Sequence, residues 1–277
     1  MSEPNLSPDH LQRICDFVYR RSGMSYGETK RYFVERRVSD RMERTGLGSV
    51  QAYIAHLIAD RAEAEQLINS FTVNETYFYR EEHQLRCLST SLLPGIVAAM
   101  VAGEKLRLWS VPCSSGEEAY SLAIWLLENW PLVDAYHVEI IGSDIDTRAL
   151  EAAQIGFYGE RALARLPDAA RERYFEPARD GQRRIIQDLR ESVSYRPANL
   201  VDEAGMAAHG VFDVIFCRNV LIYFDEAARR IAARHLFAAL KPGGFVCLGH
   251  TESMGRISDA FVLRRLPEAI VYQRPHR

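Results

Sequence analysis

KLRLWSVPCSSGEEAYSLAIWLLE, residues 105–128, joins a buried strand to an amphipathic helix through a tight polar loop. Leu106, Leu108 and Val111 take the apolar strand positions. Ala119, Leu122, Ala123, Leu126 and Leu127 fall on one face at helical spacing. Between them, Cys113-Ser114-Ser115-Gly116-Glu117-Glu118 leads into a helix N-terminus, whose unpaired backbone N–H groups face whatever lies beyond the strand. A second strand-like run, His137 to Gly142, ends at Ser143-Asp144. Strand, loop, helix, strand, acid is the order that builds a nucleoside crevice in a doubly wound α/β sheet, with the acid reaching ribose hydroxyls. Only Gly116 stands for the three glycines of the dinucleotide fingerprint, so the expected ligand is a nucleoside cofactor of another kind.

Charge narrows that choice. Two carboxylates at a helix start interact favourably with the helix dipole, but they repel a phosphate bound at the same place. Glu117 and Glu118 therefore argue against NAD or ATP and for a cofactor with a positive centre, such as S-adenosylmethionine. Asp146 suits a helix cap before Thr147, whereas Asp144, nearer the strand end, suits the ribose. The apolar run Phe212 to Cys217 reads as a central strand with Arg218-Asn219 at its end, where crevices of this architecture lie. Asn199-Leu200 ends another strand-like run, and an asparagine there is placed to recognise an adenine edge.

Outward from this core, residues 1 to about 70 read as helices only. The first starts at Ser7-Pro8-Asp9 with the stripe Leu11, Ile14, Phe17 and Val18. The second runs from about Glu28 to Thr45 before Gly46, and the third opens at Ser49 and runs through Ile58. From Leu106 onward strands and helices alternate, so the boundary falls between about 70 and 90. Residues 173–199 read as short strands around the Asp180-Gly181 hairpin signal and predict a small antiparallel insertion. Two closing runs, Ala260 to Leu266 and Ala269 to Arg274, predict a hairpin.

A net charge of −3 gives no electrostatic drive toward nucleic acid. The five cysteines are scattered with no C-x-x-C pair, which predicts reduced thiols and no metal site. The start lacks the basic and apolar regions of a secretion signal and no run is long enough to span a bilayer, so the expected location is cytoplasmic, without membrane insertion. Cys113 has no base nearby in sequence and reads as a loop residue rather than a nucleophile. Lys30, Arg37, Arg41 and Arg44 recur at i, i+7, i+11 and i+14, with Glu28, Glu35, Asp40 and Glu43 off their stripe; this segregation favours an acidic partner. Asn74 to Glu81, NETYFYRE, packs three consecutive aromatics among polar residues in the connection between the two regions.

As an ordered set, NETYFYRE, CSSGEEAYSLAI, SDID, FCRNVLIYF and LKPGG resemble the chemoreceptor glutamate methyltransferases of bacterial chemotaxis, over nearly the whole chain. The resemblance implies an all-helical N-terminal domain at 1–73, used for receptor docking, and a connection at 74–90 that contributes to the cofactor site. It implies a doubly wound class I methyltransferase domain at 91–277, with a small inserted antiparallel β-subdomain at about 173–199. It implies S-adenosyl-L-methionine contacts at Asn74, Thr76, Arg80, Glu117, Asp144, Asn199, Leu200, Arg218 and Asn219, and places Arg80 and Tyr223 near the transferred methyl. The implied reaction forms γ-methyl esters on glutamates in the cytoplasmic helical region of chemoreceptors and leaves S-adenosyl-L-homocysteine. The basic stripe would meet those receptor helices. Ala119 departs from the proline usual after the paired glutamates, and Val111-Pro112 from the smaller residues usual before the cysteine; neither removes a ligand group. The compact turn at Arg179-Asp180-Gly181 points to a member that does not depend on a C-terminal receptor tether peptide. Without the resemblance, a class I methyltransferase acting on RNA or a small molecule, or a silent adaptor that senses the cofactor, fits the same residues.

Overall fold

A computed structural model describes residues 6–101 and 103–276. The helical region holds α1 (Pro8–Ser22), α2 (Arg31–Thr45), α3 (Val50–Ala59) and α4 (Arg61–Phe71). Their ends follow from local chemistry. The Ser7 and Ser49 hydroxyls accept the N–H groups of His10 and Ala52, and the Asp60 carboxylate accepts those of Ala62 and Glu63. Gly23 and Gly46 close α1 and α2 in the left-handed conformation, at φ 74° and 70°. The sequence reading placed three helices here. The fourth follows α3 after the single residue Asp60, which ends one helix and caps the next.

After a connection at 72–81 come α5 (Glu82–Cys87), a wider-wound turn (Leu88–Leu92) and α6 (Leu93–Ala99). The second region then runs β1 (Lys105–Ser110), α7 (Glu117–Asn129), β2 (His137–Asp144), α8 (Thr147–Ile155), β3 (Phe157–Gly159), α9 (Glu160–Leu163), α10 (Asp168–Tyr174), β4 (Gln182–Arg184), α11 (Gln187–Ser192), β5 (Val193–Pro197), α12 (Glu203–Ala208), β6 (Phe212–Cys217), α13 (Glu226–Ala238), β7 (Leu240–Leu248), β8 (Val262–Arg265) and β9 (Ile270–Gln273). The main sheet has the order β5-β2-β1-β6-β7-β9-β8. It is parallel from β5 to β7, and the closing hairpin adds β9 antiparallel to β7 and β8 antiparallel to β9. The chain reverses its direction of travel across the sheet at β1, so the crevice opens at the carboxyl ends of β1, β2 and β6.

The antiparallel insertion differs from its expected bounds of 173–199. Its strands are β3 and β4, paired Phe157↔Arg184 through Gly159↔Gln182. Three residues of β3 are too few to show alternation, which hid it in the sequence. The hairpin tip is at Asp180-Gly181, φ 50° and 74°, but residues 168–174 are helical. Residues 193–197 belong to the main sheet as its edge, parallel to β2, with Val193 buried.

One apolar cluster runs without a break from the helical region (Ile14, Val34, Tyr53, Leu67, Phe71) to one face of the sheet (Trp109, Ile141, Ile215, Val246). Polar links close the same seam. Asn69 Nδ2 donates to Thr147 Oγ1 at 3.0 Å, the Thr72 hydroxyl donates to Asp146 at 2.7 Å, and the Ser25 N–H donates to the Tyr223 carbonyl at 3.0 Å. The helical region is therefore one wall of the crevice.

Candidate active site

The crevice is a cleft open to solvent, lined from both regions of the chain. Its sheet side is made by Cys113-Ser114 after β1, Asp144 at the end of β2, Ala198 to Leu200 after β5, and Arg218 to Val220 after β6. Its helical side is made by Ser22, Met24 and Thr72 to Thr76, with Arg80.

Asp144 is buried, and each of its oxygens accepts one backbone N–H, from Ser114 at 2.8 Å and Asp146 at 2.9 Å. Burial pushes its carboxyl up from the ordinary 3.8 to about 6, against the pull of those N–H groups. Ser114 turns through φ 49° to present its N–H, so a strained loop residue holds the strand-end acid in place. Asp146 differs from its neighbour. It caps α8 through Arg148 N–H and also accepts from Thr72 and from Asn74 Nδ2 at 2.9 Å, tying the helical region to the sheet.

Arg218 is buried across the floor. Nη1 lies 2.9 Å from Glu118 Oε2, and Nη2 lies 3.5 Å from Glu81 Oε2 while donating to the Arg80 carbonyl at 2.7 Å. Ser110 Oγ donates to the other Glu118 oxygen at 2.7 Å. Burial pushes the Glu118 carboxyl up and Arg218 opposes it. Glu118, not Glu117, lines the crevice. Glu117, the residue singled out from sequence, sits buried with its carboxylate accepting from Ser115 Oγ, and burial pushes its carboxyl up too. Gly116, at φ 93°, sets which of the two points outward.

The remaining expected residues, Asn74, Thr76, Arg80, Asn199, Leu200, Asn219 and Tyr223, all line the same cavity. Arg80 is half-buried and donates Nη1 to the Glu75 carbonyl at 2.8 Å. Asn199 spans the seam, donating Nδ2 to the Arg21 carbonyl at 2.7 Å while its Oδ1 accepts from Val201. Ser22, Met24, Thr72 and Val73 were missed by sequence reasoning, because their contacts come from folding over a distant part of the chain. Cys113 is buried, and desolvation with the nearby Asp144 pushes its thiol well up, which suits a wall residue and not a nucleophile.

The walls fit S-adenosylmethionine by their chemistry. Asp144 offers acceptor capacity for ribose hydroxyls. The only cations among the described lining residues are Arg80 and Arg218, and Arg218 is engaged by two carboxylates. Two wall atoms, Ser114 Oγ and Arg218 Nε, are buried without a hydrogen-bond partner among the described residues. No group of three or more His, Cys, Asp or Glu among the described residues is placed to hold a metal ion, and no described helix is long and apolar enough to cross a membrane.

The basic stripe on α2 is less uniform than its spacing suggested. Arg41 turns inward, its Nε donating to Glu63 at 2.9 Å while the Tyr53 hydroxyl donates to the same carboxylate at 2.8 Å. It is therefore not a free docking cation. Arg37 lies over the Phe33 ring at 3.4 Å and donates to the Ser70 carbonyl, whereas Lys30 and Arg44 are exposed.

Residues 9–72 match the family described as CheR methyltransferase, all-alpha domain, and residues 74–270 match CheR methyltransferase, SAM binding domain. The chain is similar to Chemotaxis protein methyltransferase 2 of Vibrio cholerae serotype O1, at 42% identity over 279 residues, covering 100% of this chain and 96% of that protein. It is 36% identical over 264 residues to Chemotaxis protein methyltransferase of Klebsiella aerogenes, covering 94% of this chain and 88% of that one. With Chemotaxis protein methyltransferase 2 of Pseudomonas aeruginosa the identity is 35% over 249 residues, covering 88% and 86%.

Proposed function

This chain belongs to the CheR methyltransferase family and is an S-adenosylmethionine-dependent methyltransferase of chemotaxis, and on that premise we propose that it esterifies glutamate side chains in the cytoplasmic helical region of chemoreceptors. The observation that carries this reading is the charge of the crevice: carboxylates line the sheet side, and Arg80 is a half-buried cation at the opposite wall. That arrangement suits a cationic methyl donor and an anionic acceptor.

S-adenosylmethionine supplies an electrophilic methyl on a sulfonium sulfur. A glutamate carboxylate, with ordinary pKa near about 4.3, is ionised at neutral pH and needs no general base. Its oxygen forms the new O–CH3 bond with its own electron pair as the S–CH3 bond breaks, and S-adenosylhomocysteine leaves as a neutral thioether. The protein's task is to strip water from that carboxylate and hold it in line. Arg80 has donors left beyond the one given to Glu75, and a guanidinium matches a carboxylate in bidentate geometry. Tyr223 walls the transfer point. Asp144 holds the ribose, Asn199 and Leu200 the adenine, and Asn74, Thr76, Arg218 and Asn219 the rest of the cofactor, with Glu117 bonded to Ser115 in the loop behind the wall. Glu118 joins this set on the strength of its place in the wall.

In functional terms residues 1–73 dock the receptor, 74–90 complete the cofactor site and 91–277 carry the transfer. Lys30, Arg37 and Arg44 supply the docking charge, with Arg41 holding their helix in place. The enzyme works in the cytoplasm, needs no metal and does not depend on a receptor tether peptide; micromolar binding of such a peptide in a titration would overturn that last point. The decisive experiment transfers labelled methyl from S-adenosylmethionine to receptor-containing membranes. The label should come off as methanol in mild base. A base-stable label, or label on RNA, would overturn the glutamate assignment.

A further inference from the structure

We propose that Glu252 is a positioning residue for the cofactor site, fixing the turn after β6 so that Asn219 faces the crevice. This rests on the assignment of Asn219 to the cofactor made above. Glu252 lies in the turn that follows β7, the strand beside β6. Its carboxylate accepts the backbone N–H groups of Asn219 at 2.7 Å, Val220 at 3.0 Å and Leu221 at 2.8 Å, and that of Gly249 in its own turn at 2.9 Å.

Three successive N–H groups converge on one point because Asn219 takes a left-handed conformation, φ 58°, as the chain leaves the strand. Such a nest of backbone donors selects an anion, and here the protein supplies its own. The approach is close. A Cβ at Gly249 would lie 2.7 Å from Asn219 Nδ2 and 2.9 Å from Glu252 Oε2, so the bare glycine is what lets the amide and the carboxylate sit together. Asn219 and Val220 line the crevice and Glu252 does not, which makes its action indirect. It is half-buried and absent from the cofactor contacts that the sequence suggested. A glutamine there keeps one acceptor oxygen and would leave two of the four N–H groups facing an NH2 group.

The test is a double-mutant cycle on the full chain, with S-adenosylhomocysteine affinity read by calorimetry for wild type, E252Q, N219A and the pair. Each single variant should weaken binding about tenfold or more, the scale of one lost charge-assisted bond. The pair should bind within about twofold of N219A alone, since positioning an absent amide has no effect. E252D keeps the charge but draws it back from the N–H groups and should lose part of the same affinity; if E252Q does not fold, E252D with N219A completes the cycle. Wild-type affinity for E252Q, or losses that multiply in the pair, would overturn the role of Glu252 while leaving Asn219 in place. Wild-type affinity for N219A would instead overturn the Asn219 assignment, and this inference with it.

Discussion

The two walls of the crevice are held in different ways. The sheet wall, Ser114, Asp144 and Arg218-Asn219, stands at the ends of parallel strands whose register is fixed residue by residue, with a buried guanidinium between two carboxylates beneath it. The helical wall, Ser22 to Met24 and Thr72 to Arg80, sits on the shared apolar cluster and is tied by single bonds to Asp146, Asn199, the Tyr223 carbonyl, Ser121, Ala162 and Arg218. A ladder of main-chain bonds fixes position far more firmly than single side-chain bonds do. Most of the cofactor contacts proposed above belong to the first wall and Arg80 belongs to the second, so substitutions should pull affinity and turnover apart.

The largest effect is expected in the foundation of the helical wall. Arg41→Ala leaves the buried Glu63 carboxylate without its counter-ion and should cost about 3–5 kcal/mol of stability, read by denaturant unfolding. A loss confined to receptor affinity, with stability intact, would return Arg41 to the docking surface. Next comes Arg80→Ala, expected to slow single-turnover transfer about 10²- to 10³-fold at saturating cofactor while changing S-adenosylhomocysteine affinity less than about threefold. Equal losses in both would erase the distinction between the walls.

On the sheet side, Asp144→Asn should weaken S-adenosylhomocysteine binding by about 1.5–3 kcal/mol. Wild-type affinity should fall as pH drops through about 6, because a protonated carboxyl gives up acceptor capacity, and the Asn variant should lack this dependence. Stability runs the other way. The folded carboxyl holds its proton up to about 6 against an ordinary 3.8, so its contribution to the free protein is full below 3.8 and lost as pH rises through about 6. The smallest effect is Arg44→Ala, which removes one exposed cation. It should raise the KM for receptor no more than several-fold, increasingly so at low salt, with melting temperature unmoved.

Much of the sheet wall was legible because strands buried on both faces read as apolar runs, and their polar ends mark the crevice. Asp144 and Arg218-Asn219 are such ends. Glu118 was passed over for Glu117 because adjacent helical residues differ by about 100° in direction, and the φ of Gly116 that sets the phase leaves no mark on composition. The spacing of Arg41 was read correctly, but its partner comes from α4, 22 positions along, and no periodicity in α2 reveals it. Likewise β5 reads as part of an insertion until β2 is seen beside it. Ser22 and Met24 carry no local signal, since the strand bridge to Phe224 that sets Met24 in the wall exists only after the helical region folds over the sheet.

The central claim is that the strand-end wall binds the nucleoside and the helical wall faces the reacting end. A crystal structure of this protein with S-adenosylhomocysteine tests it most directly. The ribose hydroxyls should lie within hydrogen-bond distance of the Asp144 carboxylate, with the adenine against Leu200 and the sulfur toward Arg80 and Tyr223. A ribose remote from Asp144, or a sulfur turned away from Arg80, would contradict it.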